Sequence, residues 1–347
     1  MSKIKCLAHA FIFIATAFAG SARADEPAAP PPPAPPPAAT EAAAPAPAAT
    51  AVAAGTVAPA AAPTPPPPPY SLPWQLRPVG AVNVLRSDTA VAFYDNGAGA
   101  SGSTVATMLL GSYKVTPSLA PMVRLGFTQN DAPAAGADGT SFVNPIVGAT
   151  YARKVDAIRW AAFLGATVPV GAGGGNTPDA GAAGANAAGI RARSAMDNAM
   201  FAVNYFTGIV GGGVAYVDHK LTVQLEATLL QLMRVRGESA ASATDSARTN
   251  STVGLHAGYF FIPMLSLGGE IRYQRWLTTP TQLTMGTKVN IADVAKDTLT
   301  VAIGPRVHFQ ISKGMFIRPG IAYARALDKP LSDASYNVVQ VDVPLYF

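Results

Sequence analysis

From Leu76 onward the chain divides into strand-like apolar segments whose connections alternate between tight and long. The segments fall near 76–86, 104–114, 119–128, 142–154, 159–171, 200–217, 221–236, 251–261, 265–276, 298–310, 315–327 and 336–347. Residues 115–118, 155–157, 218–220, 262–264 and 311–314 make tight turns. Between them lie long polar or Gly/Ala-rich connections at 87–103, 129–140, 172–199, 237–250, 277–297 and 328–335. A meander with this parity gathers its short turns at one end of a sheet and its long loops at the other. A soluble sandwich has no reason to sort its loops in that way.

Within the segments the side chains alternate. Leu221, Val223, Leu225, Ala227 and Leu229 are interleaved with Thr222, Gln224, Glu226 and Thr228. Leu299, Val301, Ile303, Val307 and Phe309 are interleaved with Thr300, Arg306, His308 and Gln310. Period-two alternation puts each set on its own face of a strand. The mean hydropathy is positive at +0.24, yet the only long apolar run lies at the start of the chain. Apolarity spread over alternate positions is the signature of strands with one face toward lipid. Two segments depart from the pattern: 104–114 has no clean alternation, and 200–217 is Gly-rich and long enough to begin as a loop or short helix.

The start of the chain reads as a secretory signal, 1–24, with Lys3 and Lys5, an apolar stretch from Leu7 to Phe18, and Ala22 and Ala24 before the cleavage point. Cys6 lies inside it, so the mature chain is expected to have no thiol for disulfides, metals or nucleophilic attack. Losing Lys3, Lys5 and Arg23 from 25 basic residues leaves 22 against 20 acidic ones, a net of +2, with no nucleic-acid footprint. Asp25 to about Pro69 is almost entirely Ala, Pro and Thr. It is expected to be a disordered periplasmic spacer, with the domain boundary at 25–73; a tether toward peptidoglycan is the second reading.

The last strand carries Val339, Val341, Val343, Leu345 and Phe347 at alternate positions and ends on the aromatic residue. This ending resembles the terminal strand of bacterial outer-membrane β-barrel proteins, where it is the signal read by the insertion machinery. The resemblance spans about residues 75–347 and implies an all-β transmembrane antiparallel barrel of about 12 strands in a Gram-negative outer membrane. Its implied partners are outer-membrane lipid, lipopolysaccharide and the insertion machinery. The strand end Val168-Pro169-Val170-Gly171 is similar to barrels found with aromatic-degradation pathways and described as transporters.

Arg124, Glu226, Glu270, Arg272, Arg306, His308, Arg318, Asp342 and His256 fall on the polar faces. A charge on the lipid face costs about 2–4 kcal/mol at the midplane, so these side chains are expected to point inward. They read either as a mixed-charge, Arg-rich constriction or as a salt-bridge network that packs the lumen. Loop 172–199, with Arg191 and Arg193, reads either as an in-folded constriction or as a surface loop.

Enzymatic readings are weak. His308 and Ser312, four residues apart on a strand, stand roughly 13 Å apart. The glycine clusters at 171–175 and 211–213 fit no nucleotide-binding spacing. No cofactor or metal set is read. Two functions remain: a passive channel or uptake protein for small solutes, or a structural surface protein with a closed lumen that acts through its loops or its Ala/Pro segment.

Overall fold

The computed structural model describes residues 70–95, 100–133, 138–240, 245–278, 296–328, 331–332 and 335–347. The expected signal peptide, and residues 25–69 of the expected spacer, lie outside them. The strands are β1 (Val84–Asp95), β2 (Ser101–Ser112), β3 (Leu119–Asp131), β4 (Gly139–Phe142), β5 (Ile146–Val155), β6 (Ile158–Thr167), β7 (Tyr205–Asp218) and β8 (Leu221–Arg234). They continue as β9 (Ala247–Ile262), β10 (Leu265–Trp276), β11 (Asp297–Val307), β12 (Phe309–Ser312), β13 (Met315–Ile317), β14 (Gly320–Ala326) and β15 (Asn337–Tyr346). Two helices, α1 (Ala180–Ala192) and α2 (Asn198–Phe201), lie in the connection between β6 and β7.

Neighbouring strands pair antiparallel, and β1 pairs with β15 from Val84↔Tyr346 to Phe93↔Asn337. That last ladder closes the sheet into a barrel of 12 staves, in which β4 with β5, β11 with β12 and β13 with β14 each form one interrupted stave. Pro145 and Pro319, which have no N–H for the ladder, sit at two of the interruptions. At the seam, the Phe347 N–H lies 3.4 Å from the Asn83 carbonyl.

The facing pattern matches the expectation on β8, where exposure alternates strictly with burial along the strand. Val123, Leu164, Val210, Leu225, Ile271, Ile303 and Ile321 are exposed on the outer wall. Aromatic pairs stand at the tight-turn rim, including Tyr151 with Trp160 and Tyr259 with Phe261. An apolar wall edged by aromatic side chains suits a bilayer. No helix among the described residues is long and apolar enough to cross one.

The first stave corrects the sequence reading. The strand expected at 76–86 lies at Val84–Asp95, inside the stretch read as the long loop 87–103. Arg86, Ser87, Asp88 and Thr89 look loop-like, yet Arg86 and Asp88 are buried inside the barrel. The first connection is therefore 96–100, no longer than the turn at 113–118, and the rule of long loops starts with later connections. The segment at 200–217 begins with α2 and becomes strand at Tyr205.

Replacing the outward Leu225 by Arg is expected to cost about 2–4 kcal/mol, and Leu221→Arg, at the rim, about 0–1 kcal/mol. Urea-dependent folding into lipid vesicles measures both. Equal costs would contradict this placement of the bilayer.

A lumen closed from both ends

Residues 70–83 precede β1 and run inside the barrel. Pro73 and Pro78 keep this stretch out of a β-ladder, so its backbone amides turn to wall side chains. The Ser71 N–H donates to Thr222 Oγ1 at 3.0 Å, and the Trp74 N–H to Glu270 Oε2 at 2.7 Å. The Gln75 N–H donates to Glu270 Oε1 at 3.2 Å, and the Arg77 N–H to Glu226 Oε2 at 2.5 Å. Arg77 also returns a side-chain bond to Glu226, at 2.7 Å. The wall is shaped to receive the segment. A Cβ on Gly254 would lie 2.2 Å from Leu76 Cδ2, and one on Gly320 would lie 2.7 Å from the Trp74 ring. Glycine allows this close approach.

The ring of Trp74 lies under the Arg306 guanidinium, 4.4 Å from it, in a cation–π contact. Arg306 Nη2 donates to Asp342 Oδ2 at 2.5 Å, and Arg86 Nε to Asp342 Oδ1 at 2.7 Å. Arg86 also reaches the Pro73 and Trp74 carbonyls, at 3.0 and 2.5 Å. Glu270 pairs with Arg272, whose Nη2 donates to Gln340 Oε1 at 2.7 Å. One connected network therefore joins β1, β10, β11 and β15 to the inner segment. Asp342 serves two arginines within it.

The opposite end is filled by the connection from β6 to β7. Asp179 caps α1, accepting from the Ala182 N–H at 2.7 Å. The helix buries Ala182, Ala185, Ala188, Gly189 and Ala192, and Gly189 faces Phe201 and Thr128. Arg193, fully buried, binds both oxygens of Asp88 at 2.8 and 2.6 Å and Asp197 Oδ2 at 2.8 Å. Arg124 Nη1 donates to Asp197 Oδ1 at 2.5 Å. Asn144 anchors the same connection: its Nδ2 donates to the Ala202 carbonyl at 3.0 Å and its Oδ1 accepts from the Gly171 N–H at 2.9 Å.

Between the two closures is a chamber with about 80 Å³ open to water centres, bordered by Gln75, Met108, Arg124, Asp197 and Glu226. Of the residues singled out from sequence, Glu226, Glu270, Arg272, Arg306 and Asp342 meet the inner segment or its network, and Arg124 and Arg193 meet at Asp197. Arg191 is exposed at the end of α1. Arg318 lies over the Tyr346 ring at 4.9 Å. His308 Nε2 lies 2.9 Å from Ser266 Oγ, and Ser312 is exposed on β12. His256 Nε2 meets Ser71 Oγ at 3.3 Å, while its Nδ1 has no orienting partner. Sequence reasoning missed residues 70–83, Asp88, Asn144 and Asp197. The signal for the first was Pro78 inside an assigned strand.

Breaking a buried ion pair leaves an uncompensated charge, at a cost of about 3–5 kcal/mol. Arg193→Met is thus expected to release α1 while leaving the barrel folded. Hydrogen exchange reads this as faster exchange across 180–192 with β8 and β9 protected. Unchanged α1 protection would show that the helix is held by its alanine face alone.

No family model and no curated protein matches this chain. Solved structures with a similar fold include an outer-membrane channel from Pseudomonas putida F1, at 12% identity and TM-score 0.49, covering 79% of this chain and 98% of that one. The NanC porin aligns at 10% identity and TM-score 0.44, over 75% of this chain and 100% of the other. The KdgM porin aligns at 12% and 0.41, over 76% and 99%. These are likenesses of barrel architecture. The ladder from β1 to β15, the apolar outer wall and the charged interior make this chain a closed antiparallel β-barrel of 12 staves with the outer face of a membrane-spanning sheet.

Proposed function

We propose that the protein is an outer-membrane channel or uptake barrel for small solutes, closed at its tight-turn mouth by its own residues 70–83. The observation that carries this reading is the chemistry of the closure. Wall carboxylates Glu226 and Glu270 hold backbone N–H groups of the segment, and Gly254 and Gly320 leave room for its side chains. A segment docked through hydrogen bonds and ion contacts can exchange those partners for water when it leaves. The buried side chains Leu72, Trp74, Leu76 and Val79 oppose that departure, so the closed state is expected to dominate. The inward charges read as the lining that solute meets once the segment has moved. Because Asp342 is shared by Arg86 and Arg306, that lining is expected to favour anions mildly.

A second reading, a surface protein with a permanently closed lumen, is favoured by the second closure at α1. Planar-bilayer recording separates the two. The full chain is expected to conduct weakly and intermittently. Deleting residues 72–79 is expected to give larger and steadier conductance, and Gly254→Val, which crowds Leu76, to lengthen openings of the full chain. In the deletion variant, Arg306→Ala is expected to move the reversal potential in a KCl gradient toward cation preference. A deletion variant that inserts, shows heat-modifiable gel mobility and stays silent would sink the channel reading.

A further inference from the structure

Arg86 carries a charge that the closed lumen does not balance. It shares the single carboxylate of Asp342 with Arg306, at 2.7 and 2.5 Å. The other ion pairs around the chamber match: Arg77 with Glu226, Arg272 with Glu270, and Arg124 and Arg193 with Asp88 and Asp197. Among the described residues joined by these pairs, six arginines therefore face five carboxylates. The surplus is one positive charge, and it sits where Arg86 and Arg306 meet. A buried charge without its own partner is costly.

Arg86 also borders the chamber. Its Nε is bonded to Asp342, and its Nη2 to the Pro73 and Trp74 carbonyls. Its Nη1 has no partner among the described residues and is not one of the polar atoms shielded from solvent, so a free N–H donor is turned to the chamber that Arg86 lines. Arg124 borders the same space and lies close enough to Arg86 for their charges to repel. The Thr252 hydroxyl, likewise unshielded and without a partner among the described residues, is a further donor on the lining. Much of the remaining wall is apolar: Met108, Met122, Ile146, Ile209 and Leu230. Thioether side chains adapt their shape to a guest at little cost.

We propose that the chamber is a binding site for a short-chain monocarboxylate, its carboxylate at Arg86 Nη1 and its alkyl tail against the methionine-rich wall. A guanidinium N–H donates a strong, charge-assisted bond to a carboxylate oxygen. One negative charge completes the balance of the closed lumen. A second would be unmatched, a cation would add to the surplus, and an uncharged guest would leave it in place. The space, about 80 Å³ for water centres, equals roughly five to eight water positions and limits the guest to a comparable number of heavy atoms. The proposal goes beyond the channel reading and does not rest on it, because the site is complete while both closures are in place.

The test uses the full chain folded in non-ionic detergent micelles, in chloride-free HEPES at neutral pH, and saturation-transfer NMR. The probes are butyrate, butan-1-ol, butylammonium and succinate. Ile209→Trp fills the chamber from the barrel wall and Ala199→Trp from α2; heat-modifiable gel mobility shows whether each has folded, and either suffices as the filled control. Arg86→Gln leaves Asp342 with Arg306 and brings the paired charges to balance, so it is expected to fold. Butyrate is expected to give a saturable signal with the parent chain, lost in the filled variant and weakened about tenfold or more in Arg86→Gln. The other three probes are expected to stay at the level of the filled variant. Equal butyrate signals in parent and filled chains would overturn the site. Any other probe that matches butyrate would overturn the solute class, and unchanged butyrate binding in a folded Arg86→Gln would overturn the role of its charge. Should Arg86→Gln fail to fold, butyrate against butan-1-ol on the parent chain decides whether charge is recognised. Butyrate binding to the full chain with a silent 72–79 deletion keeps this site and removes the channel, and conductance in the deletion without butyrate binding does the reverse.

Discussion

A backbone amide that water cannot reach must find its partner within the chain, and in a bilayer that requirement admits few solutions. Here the staves satisfy it through their ladders, which the pairing of β1 with β15 makes continuous. Residues 70–83 cannot join a ladder, because Pro73 and Pro78 interrupt any run of donors. Their amides are met by Thr222, Glu226 and Glu270 instead. The acidic residues on the inner wall thus complete the hydrogen bonding of a segment that would otherwise be unstable inside a barrel.

The same requirement explains the order within the lumen. A buried carboxylate stabilises only when its charge and lone pairs are answered. Glu270 is answered by Arg272 and by two backbone amides, and Asp342 by Arg86 and Arg306. Asp88 and Asp197 are answered by Arg193 and Arg124, which ties α1 to β1 and β3. The two closures therefore use one device at opposite ends: a backbone excursion held by charged side chains of the wall. The chamber left between them is where this device stops and apolar packing resumes.

Much of the barrel was legible because lipid imposes a period of two on the outer face. Leu221 to Leu229 shows this plainly, and the tight turns from 115–118 onward fell where expected. The first stave was illegible for a related reason. Its inward residues, Arg86 and Asp88, are polar, and Ser87 and Thr89 between them break the apolar outer face, so the stretch resembled a loop. The segment before it contains Leu72, Trp74, Leu76 and Val79, whose apolar spacing imitates a strand although they pack inside the lumen. Only Pro78 argued otherwise.

By itself the sequence determined that this chain would form a lipid-facing antiparallel barrel with a charged interior and an aromatic end, because alternation and turn spacing are local properties. It also marked Arg191 and Arg193 in the longest connection. Tertiary structure decided which charges meet. Arg193 finds Asp88 across 105 positions, and Trp74 finds Glu270 across 196. Such pairings depend on the stagger of strands around a closed sheet and on where two irregular segments settle inside it. No local pattern encodes either, so the closures and the chamber became visible only in three dimensions.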